Sequence, residues 1–228
     1  MPVYQLDEGL WFPKPEFGEP DGLLAVGGDL SPERLLFAYS LGIFPWFSFR
    51  DSSEPWWYCP QERFVIFPEE IHISHSMKQM MRNARYDVTF NQCFEEVIRN
   101  CSEVDSRDEL PGAWLGQEMI KAYTELYRRE RAMSVEVWET NISDGSRTLV
   151  GGLYGVLSGS VFCGESMFSK TPSASKLALI TLAQRLQRIQ QHCRRMKTQV
   201  REGVLRYPHC RFWHQLLSRI PALRSSHP

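Results

Sequence analysis

The alternation of hydrophobic and polar positions predicts a chain in which helices and antiparallel strands are mixed. Apolar residues at helical spacing predict helices over residues 74–83, 94–100, 118–129 and 177–189. Apolar or alternating runs predict strands over residues 64–67, 87–90, 134–140, 148–154, 155–157 and 160–162. Helices followed by antiparallel strands and then a further helix indicate an α+β layer arrangement with a mostly antiparallel sheet.

One further helix has the clearest local signals in the chain. It lies within the string GLLAVGGDLSPERLLFAYSLG, where Asp29 or Ser31 can cap a helix whose first turn contains Pro32. Apolar residues then recur at helical spacing until Gly42, which favours a helix end. Before this helix, residues 1–20 are rich in Pro, Gly and Glu, which predicts an extended arm anchored by Phe12 and Phe17.

The stretch 44–58 concentrates aromatic residues around prolines, a pattern that excludes a regular helix. Its tryptophans, Trp46, Trp56 and Trp57, offer flat surfaces on which a base can stack, and they are equally suited to a small apolar core beneath a loop. The pattern leaves both interpretations open.

A lone acid stands in the string VFCGESMFSKTPSASK, whose other residues are small, apolar, hydroxylic or, at two positions, basic. Glu165 is therefore expected to be desolvated on a strand or to face a cavity, and its charge needs a partner. A helix that opens near Ala174 supplies free backbone amides close by. A structural ion pair and a substrate site are both consistent with this pattern.

Composition and charge narrow the class of protein. Of the 228 residues, 43% are hydrophobic and 23% charged, as in a folded globular protein, and no apolar run is long enough to cross a membrane. The six cysteines form no CxxC pair, so we expect free thiols and no metal site. Residues 184–228 contain ten Lys or Arg and one Glu, a basic tail that can attract a nucleic-acid backbone or simply be a solvated helix surface.

Several long strings resemble a specific family. They are EPDGLLAVGGDLSPERLLFAYSLGIFPWFS, WWYCPQERFVIFPEEIHISHSMK, SVEVW, LVGGLYGV and VFCGESMFSKTPSASKLALITL. Together they run from about Phe12 to Ala183 and are similar to the bacterial leucyl/phenylalanyl-tRNA–protein transferases.

This resemblance implies a fold, an activity and partners. It implies a small N-terminal domain, here residues 1–62, beside an acetyltransferase-like domain, here residues 63–228. The implied activity moves Leu, Phe or sometimes Met from aminoacyl-tRNA to the N-terminal Arg or Lys of a protein, which marks that protein for degradation by the N-degron route. The enzyme is expected to be cytoplasmic and monomeric and to need neither metal nor CoA.

The resemblance also implies roles for individual residues. Glu165 corresponds to the acid that binds the protein's cationic N-terminus or the aminoacyl amine. An apolar pocket for the aminoacyl side chain corresponds to Leu153, Phe162, Met167 and Leu179. Trp46 and Trp114 correspond to aromatic residues that stack on the terminal adenosine of the tRNA.

The basic tail departs from the family. Where the family has a strand ending in Asp-Cys-Gln, this chain reads QQHCRRMKTQV, so that Lys197 takes the place of the Asp when Gln199 takes the place of the Gln. A cationic lysine cannot accept a proton. Three explanations are open: an active enzyme that relays the amine proton through Gln199 or water, a protein that binds aminoacyl-tRNA without transfer, and a tail altered by a shifted reading frame.

Two other enzyme classes fit the sequence less well. An acyl-CoA acetyltransferase would need a glycine-rich pyrophosphate loop, and SKTPSASK contains no glycine. A hydrolase with Cys163 as its nucleophile would need a histidine beside a thiol that lies in a predicted strand.

Overall fold

The computed structural model describes residues 3–46, 54–83, 85–103, 115–141 and 143–199, with side chains as far as residue 191. Five α-helices lie in these ranges: α1 (Pro32–Ser40), α2 (His75–Arg82), α3 (Phe94–Glu103), α4 (Gln117–Arg128) and α5 (Ala174–Gln199). There are two short 3-10 helices, Pro15–Phe17 and Pro68–Glu70. Eight strands complete the described part: β1 (Tyr4–Leu6), β2 (Leu23–Gly27), β3 (Phe44–Trp46), β4 (Trp56–Tyr58), β5 (Tyr86–Phe90), β6 (Ala132–Thr140), β7 (Arg147–Ser158) and β8 (Val161–Ser169).

The described strands form two four-stranded sheets. The first has the order β1-β2-β4-β3, in which only β1 and β2 are parallel, and the second has the order β5-β6-β7-β8 and is antiparallel throughout. This confirms the predicted α+β class with mostly antiparallel sheets. The predicted domain boundary at residue 62 falls between the two sheets and remains a prediction.

Helices cover both faces of the second sheet. Buried side chains of α3 and α4 pack with Tyr154 and Phe168 in one hydrophobic cluster, which also contains the core of the first sheet and of α1. Buried side chains of α2 and α5 pack with Leu153 and Val135 in a second cluster on the opposite face. Side chains that face each other on adjacent strands stabilise a sheet. In the second sheet such neighbours are buried on both faces.

The predicted cap of α1 is confirmed. The Ser31 hydroxyl accepts from the backbone N–H of Arg34 at 3.3 Å, and Asp29 in turn accepts from the N–H of Ser31 at 2.9 Å. The buried Arg34 guanidinium donates to the backbone oxygens of Asp7 and Gly9 at 2.9 and 2.8 Å, so that α1 holds the N-terminal arm.

The aromatic anchors of the arm have different surroundings. Phe12 packs edge-on against Trp57, with ring centroids 4.9 Å apart, and is partly buried as predicted. Phe17 stacks on Tyr4 at 6.4 Å but stays exposed, so it is the weaker anchor.

Three strand predictions are wrong. Residues 64–67 pair with no described strand, and their four apolar side chains are exposed, Phe64 to 95%. The two strands predicted over 148–154 and 155–157 are one continuous strand, β7. The stretch 44–58, predicted as a loop, begins and ends in strands, because Trp46 and Phe44 of β3 pair with Trp56 and Tyr58 of β4.

The last helix is longer than predicted, since α5 runs from Ala174 to Gln199. Cys59, Cys93, Cys101 and Cys163 carry free thiols, as expected for the described cysteines. A search of the described helices finds none with the length and apolar character needed to cross a membrane.

Candidate active site

Glu165 lies at a bulge in the edge strand of the second sheet. Tyr154 of β7 pairs with Ser166, while the next residue, Gly155, pairs with Gly164, so Glu165 is the extra residue on β8. A bulge adds one residue to a strand, bends it and re-aims a side chain. Here it shifts the alternation of β8, so that Cys163 and Phe168 both pack with the cluster that contains Tyr154 although five positions separate them.

The bulge depends on the absence of a side chain at Gly155. A Cβ atom at this position would lie 2.5 Å from the Phe162 ring and would overlap the backbone oxygen of Cys163. At Gly164, the residue opposite, a Cβ atom would meet only the Phe162 ring, at an ordinary 3.6 Å.

We therefore expect Gly155→Ala to lower the free energy of unfolding by about 1–3 kcal/mol, because overpacking forces β8 away from β7. Gly164→Ala, the matched control on the paired strand, should change it much less. Chemical denaturation of both variants measures the difference. Equal effects of the two substitutions would contradict the packing that we describe for the bulge.

Two tyrosines from distant helices meet the Glu165 carboxyl. Tyr123 of α4 donates from its hydroxyl to Glu165 Oε2 at 3.0 Å, and the Tyr39 hydroxyl of α1 lies 2.7 Å from that of Tyr123. Because Tyr123 gives its only hydroxyl proton to Glu165, the Tyr39 hydroxyl donates to that of Tyr123 and acts on the carboxyl through it. Both tyrosine side chains are buried, whereas Glu165 as a whole is partly exposed. The carboxyl group is thus bound on its inner side, on a residue that keeps part of its surface exposed.

This environment raises the pKa of Glu165. Desolvation raises it from its ordinary 4.5 to about 7, against the opposing effects of the hydroxyls of Tyr39 and Tyr123 and of the charge of Arg63. A carboxyl group whose pKa lies near neutrality, beside a partly open edge, is typical of functional sites. Among the described residues a hydroxyl group, rather than a paired cation, binds the carboxyl.

Cys163, two residues away on the same strand, is a poor nucleophile. Burial, with the nearby charge of Glu165, raises the pKa of its thiol to about 11, so the thiolate is scarce at neutral pH. Because thiol reactivity follows the thiolate, a Cys163 hydrolase is disfavoured.

The predicted apolar pocket lies largely on the other face of the sheet. Leu153 is buried in the cluster under α5, and Phe162 and Leu179 pack against that cluster while staying partly exposed. Met167 is the cross-strand partner of Leu153, and its side chain is 46% exposed. Directly paired residues share a face, so Met167 belongs with the α5 side rather than with Glu165.

The two faces meet at the outer edge of β8. No described strand pairs with this edge, and Val161 and Met167 at its two ends are exposed. A molecule lying across the edge would reach both the Glu165 carboxyl and the apolar side chains of the opposite face. The structure thus gathers the four predicted apolar residues on the α5 side of the sheet, opposite the side on which Tyr123 binds the acid.

Of the predicted aromatic platforms, Trp46 remains accessible. It ends β3, is about half exposed and packs edge-on against Tyr58 at a centroid distance of 5.6 Å. Trp57 is completely buried and donates from Nε1 to the backbone oxygen of Gly27, so it belongs to the core of the first sheet. Trp56 is partly exposed. Trp114 lies outside the described residues.

Gln199, predicted as a proton relay, is the last residue of α5. Its side chain lies outside the described part, as does the tail that follows it. The described residues contain no group of three His, Cys, Asp or Glu side chains that could hold a metal ion.

Sequence reasoning missed Tyr39 and Tyr123 as members of this site. Both entered the predictions only as apolar positions at helical spacing. A partner for Glu165 was expected, but the hydrogen bond from Tyr123 spans 42 residues of chain, and no spacing rule reaches that far.

Comparison with known families shows to which family the chain belongs. The model of the family described as leucyl/phenylalanyl-tRNA protein transferase matches residues 65–207, and that of the family's N-terminal domain matches residues 28–61. The chain belongs to the leucyl/phenylalanyl-tRNA protein transferase family. The first match includes Glu165 and extends past Ala183 to include Gln199.

Curated proteins named leucyl/phenylalanyl-tRNA–protein transferase are similar over most of the chain. One from Flavobacterium johnsoniae is 47% identical over 182 residues, which are 79% of this chain and 81% of the relative. One from Syntrophotalea carbinolica is 47% identical over 192 residues, 84% of this chain and 80% of the relative. One from Klebsiella pneumoniae subsp. pneumoniae is 49% identical over 175 residues, 76% and 70% of the two chains.

Proposed function

We propose that this protein transfers Leu, Phe or Met from aminoacyl-tRNA to the N-terminal Arg or Lys of other proteins and thereby marks them for degradation. The names of its relatives support transfer of an aminoacyl group from tRNA to protein. The observation that carries the proposal is the position of Glu165, a desolvated carboxyl group bound from inside by Tyr123 and, through it, Tyr39, on a strand whose outer edge pairs with no described strand. The cytoplasm, where charged tRNA is made, is the proposed compartment.

The chemistry needs positioning more than activation. The α-amine of the acceptor protein attacks the ester carbonyl carbon of the aminoacyl group, the new C–N bond forms, and the C–O bond to the tRNA ribose breaks. The amine loses one proton, and the ribose oxygen takes one up. An aminoacyl ester is already reactive, so holding ester and amine together can supply much of the rate enhancement, and no covalent enzyme intermediate is needed.

Glu165 is suited to hold a cationic amine at the site of attack. In its anionic form it accepts hydrogen bonds from an ammonium group, and desolvation strengthens that charge-assisted interaction. Because its pKa lies at about 7, the same carboxylate can also take up a proton from the amine within the neutral range. The proposal further includes Gln199, the last residue of α5, as a relay for the proton of the amine.

The donor substrate would bind across the outer edge of β8. The partly exposed Phe162, Leu179 and Met167 offer apolar surface to a Leu, Phe or Met side chain. The accessible Trp46 offers a stacking surface for the terminal adenosine of the tRNA. A side chain branched at Cβ would meet more crowding in such a pocket, which fits a preference for unbranched residues.

A transfer assay tests the proposal directly. Full-length protein is mixed with tRNA charged with labelled Leu or Phe and with a peptide that begins with Arg. We expect the label to enter this peptide and to stay out of the same peptide with an acetylated α-amine, since acetylation removes the nucleophile. Val-charged tRNA serves as the matched donor control and should transfer poorly.

Two other results would change the conclusion. If labelled aminoacyl-tRNA binds in a salt-sensitive way but no label reaches the peptide, the protein is a binding-only member of the family, the alternative raised by Lys197 in the tail. If it neither binds charged tRNA nor transfers its amino acid, the proposed function is wrong.

A further inference from the structure

Two buried tyrosines close the inner side of the Glu165 site. They come from different parts of the chain, Tyr39 from α1 and Tyr123 from α4, and their hydroxyl oxygens are 2.7 Å apart. The backbone at Tyr39 is fixed in turn, because its carbonyl oxygen accepts from the Ser158 hydroxyl of β7 at 3.3 Å. The pair is therefore held by α1, α4 and β7 rather than by β8 itself.

We propose that Tyr39 and Tyr123 are positioning residues that hold Glu165 as an oriented anion for the cationic amine of the substrate. This assignment rests on the proposed function for the identity of the ligand, and it adds the groups that set the charge and the direction of the carboxyl. Neither tyrosine needs to touch the substrate, because both act through Glu165.

The hydrogen bond from Tyr123 fixes the direction of the carboxyl group. Tyr123 donates to Oε2, so this oxygen faces the protein interior, and the carboxyl group cannot rotate without losing that bond. The free lone pairs of the carboxylate are then directed away from α1 and α4. Oriented acceptors that need no rearrangement bind a developing or fixed charge better than mobile ones.

Burial and the tyrosine hydroxyls act in opposite directions on the charge of Glu165. Desolvation favours the neutral carboxylic acid, while the hydroxyl of Tyr123, itself bonded to that of Tyr39, favours the carboxylate, and the pKa of about 7 is the outcome of this opposition. Without the two hydroxyls, burial would be opposed mainly by the distant charge of Arg63. The acid would then be largely neutral at the pH at which it must bind a cation.

Among the described residues, the acids around Glu165 titrate well above the neutral range. Burial raises the pKa values of Tyr39, Tyr123 and Tyr154 well above 10, and that of Cys163 to about 11. The other charge that acts on Glu165 from the described part of the chain is that of the exposed Arg63, in the segment before the second 3-10 helix. A titration near pH 7 at this site therefore reports on Glu165 itself.

The chain supplies a matched control in Tyr154. Its ring packs edge-on against that of Tyr123 with centroids 5.5 Å apart, and it is equally buried, but its hydroxyl has no hydrogen-bond partner among the described residues. Tyr154→Phe removes a hydroxyl group from the same aromatic cluster without removing a donor to Glu165. This variant therefore distinguishes the loss of a hydrogen bond to Glu165 from a general effect on packing.

The experiment measures the carboxyl group directly. Full-length protein labelled with 13C at glutamate side-chain carboxyls is titrated by NMR, and the Glu165 resonance is assigned as the one absent from Glu165→Gln. We expect a midpoint near pH 7 in the wild type and a shift to higher pH of about one unit in Tyr123→Phe, because a hydrogen bond to a charged group is lost. Tyr154→Phe should leave the midpoint unchanged.

The transfer reaction gives the second measurement. The acidic limb of its pH profile should move to higher pH in Tyr123→Phe by the same amount as the NMR midpoint, whereas a purely structural role would lower the rate equally at every pH. The amine of the acceptor peptide titrates identically in both enzymes, so it does not contribute to the difference. Tyr39→Phe is the second variant, should Tyr123→Phe fail to fold.

The results of the NMR titration can be distinguished from those of the transfer assay that tests the proposed function. An NMR midpoint that does not move in either tyrosine variant overturns the assignment, even when the wild type transfers normally. An NMR shift in a protein without transfer activity supports the tyrosine assignment and counts against the proposed function instead.

Discussion

Glu165→Gln is expected to lower the rate of aminoacyl transfer by about 100-fold, because an amide can neither carry the negative charge that holds an ammonium group nor take up its proton. The substitution keeps the shape of the side chain and leaves the Tyr123 hydroxyl an oxygen to which it can donate, as it does to Oε2 at 3.0 Å. Initial rates with charged tRNA and an Arg-starting peptide measure the loss. Glu118→Gln, on the exposed face of α4, is the control and should be fully active.

The same variant should be more stable than the wild type in neutral solution. The Glu165 carboxyl ionises at its ordinary pKa of 4.5 in the unfolded chain but only at about 7 in the folded protein. Between these values the unfolded state binds fewer protons, so the wild type loses stability as the pH rises through this window. The Gln variant has no such charge to bury. Its melting temperature relative to wild type should therefore rise between pH 5 and pH 8.

A variant that loses activity and gains stability would indicate a functional rather than a structural acid. Undiminished transfer by Glu165→Gln would remove the carboxylate from the mechanism. A loss of activity accompanied by a loss of stability at pH 8 would instead point to damage to the fold.

Glu136→Leu is expected to have the largest effect on stability. Glu136 is completely buried on β6, where its carboxylate accepts from the hydroxyls of Thr89 and Ser134 at 2.6 and 2.5 Å and from the backbone N–H of Gln92 at 3.2 Å. Leucine would leave the two buried hydroxyls without their acceptor, whereas the backbone N–H of the exposed Gln92 can bond to water. Each unsatisfied buried group costs about 1–3 kcal/mol, so we expect a loss of about 2 kcal/mol or more.

Urea denaturation measures this loss, and Glu118→Gln again serves as the control, since an exposed ion pair contributes at most about 1 kcal/mol. Glu136 is buried away from the β8 edge, so the fraction of Glu136→Leu that still folds should transfer at the wild-type rate. A stable Glu136→Leu protein would show that the donors find other partners.

Local signals predicted most of the helices well. The apolar spacing of α2, α3 and α4 placed their bounds within a few residues of the observed ones, because spacing is a property of residues close together in the chain. Residues 64–67 were predicted as a strand for their apolar character, yet a strand also needs a neighbouring strand to pair with. The described part of the chain provides none there.

Long-range features account for the other differences. The alternation in β7 was interpreted as two strands, whereas the irregularity lies in its partner β8, at the bulge that holds Glu165. Ser134 and Glu136 alternate with apolar residues, which is typical of a solvated face, but α3 and α4 bury them. The need of Glu165 for a partner was predictable from burial, and the identity of Tyr39 and Tyr123 was not.

One hydrophobic cluster is shared by both sheets, so the stability of the second sheet depends on the N-terminal region. Leu24 and Leu35 belong to the same continuous cluster as Phe94 and Tyr123. Deleting the first sheet would expose these partners to water and remove Tyr39 from the inner wall of the site. Heat should therefore melt the two sheets in one cooperative transition, and a substitution that loosens the N-terminal arm should also destabilise the second sheet.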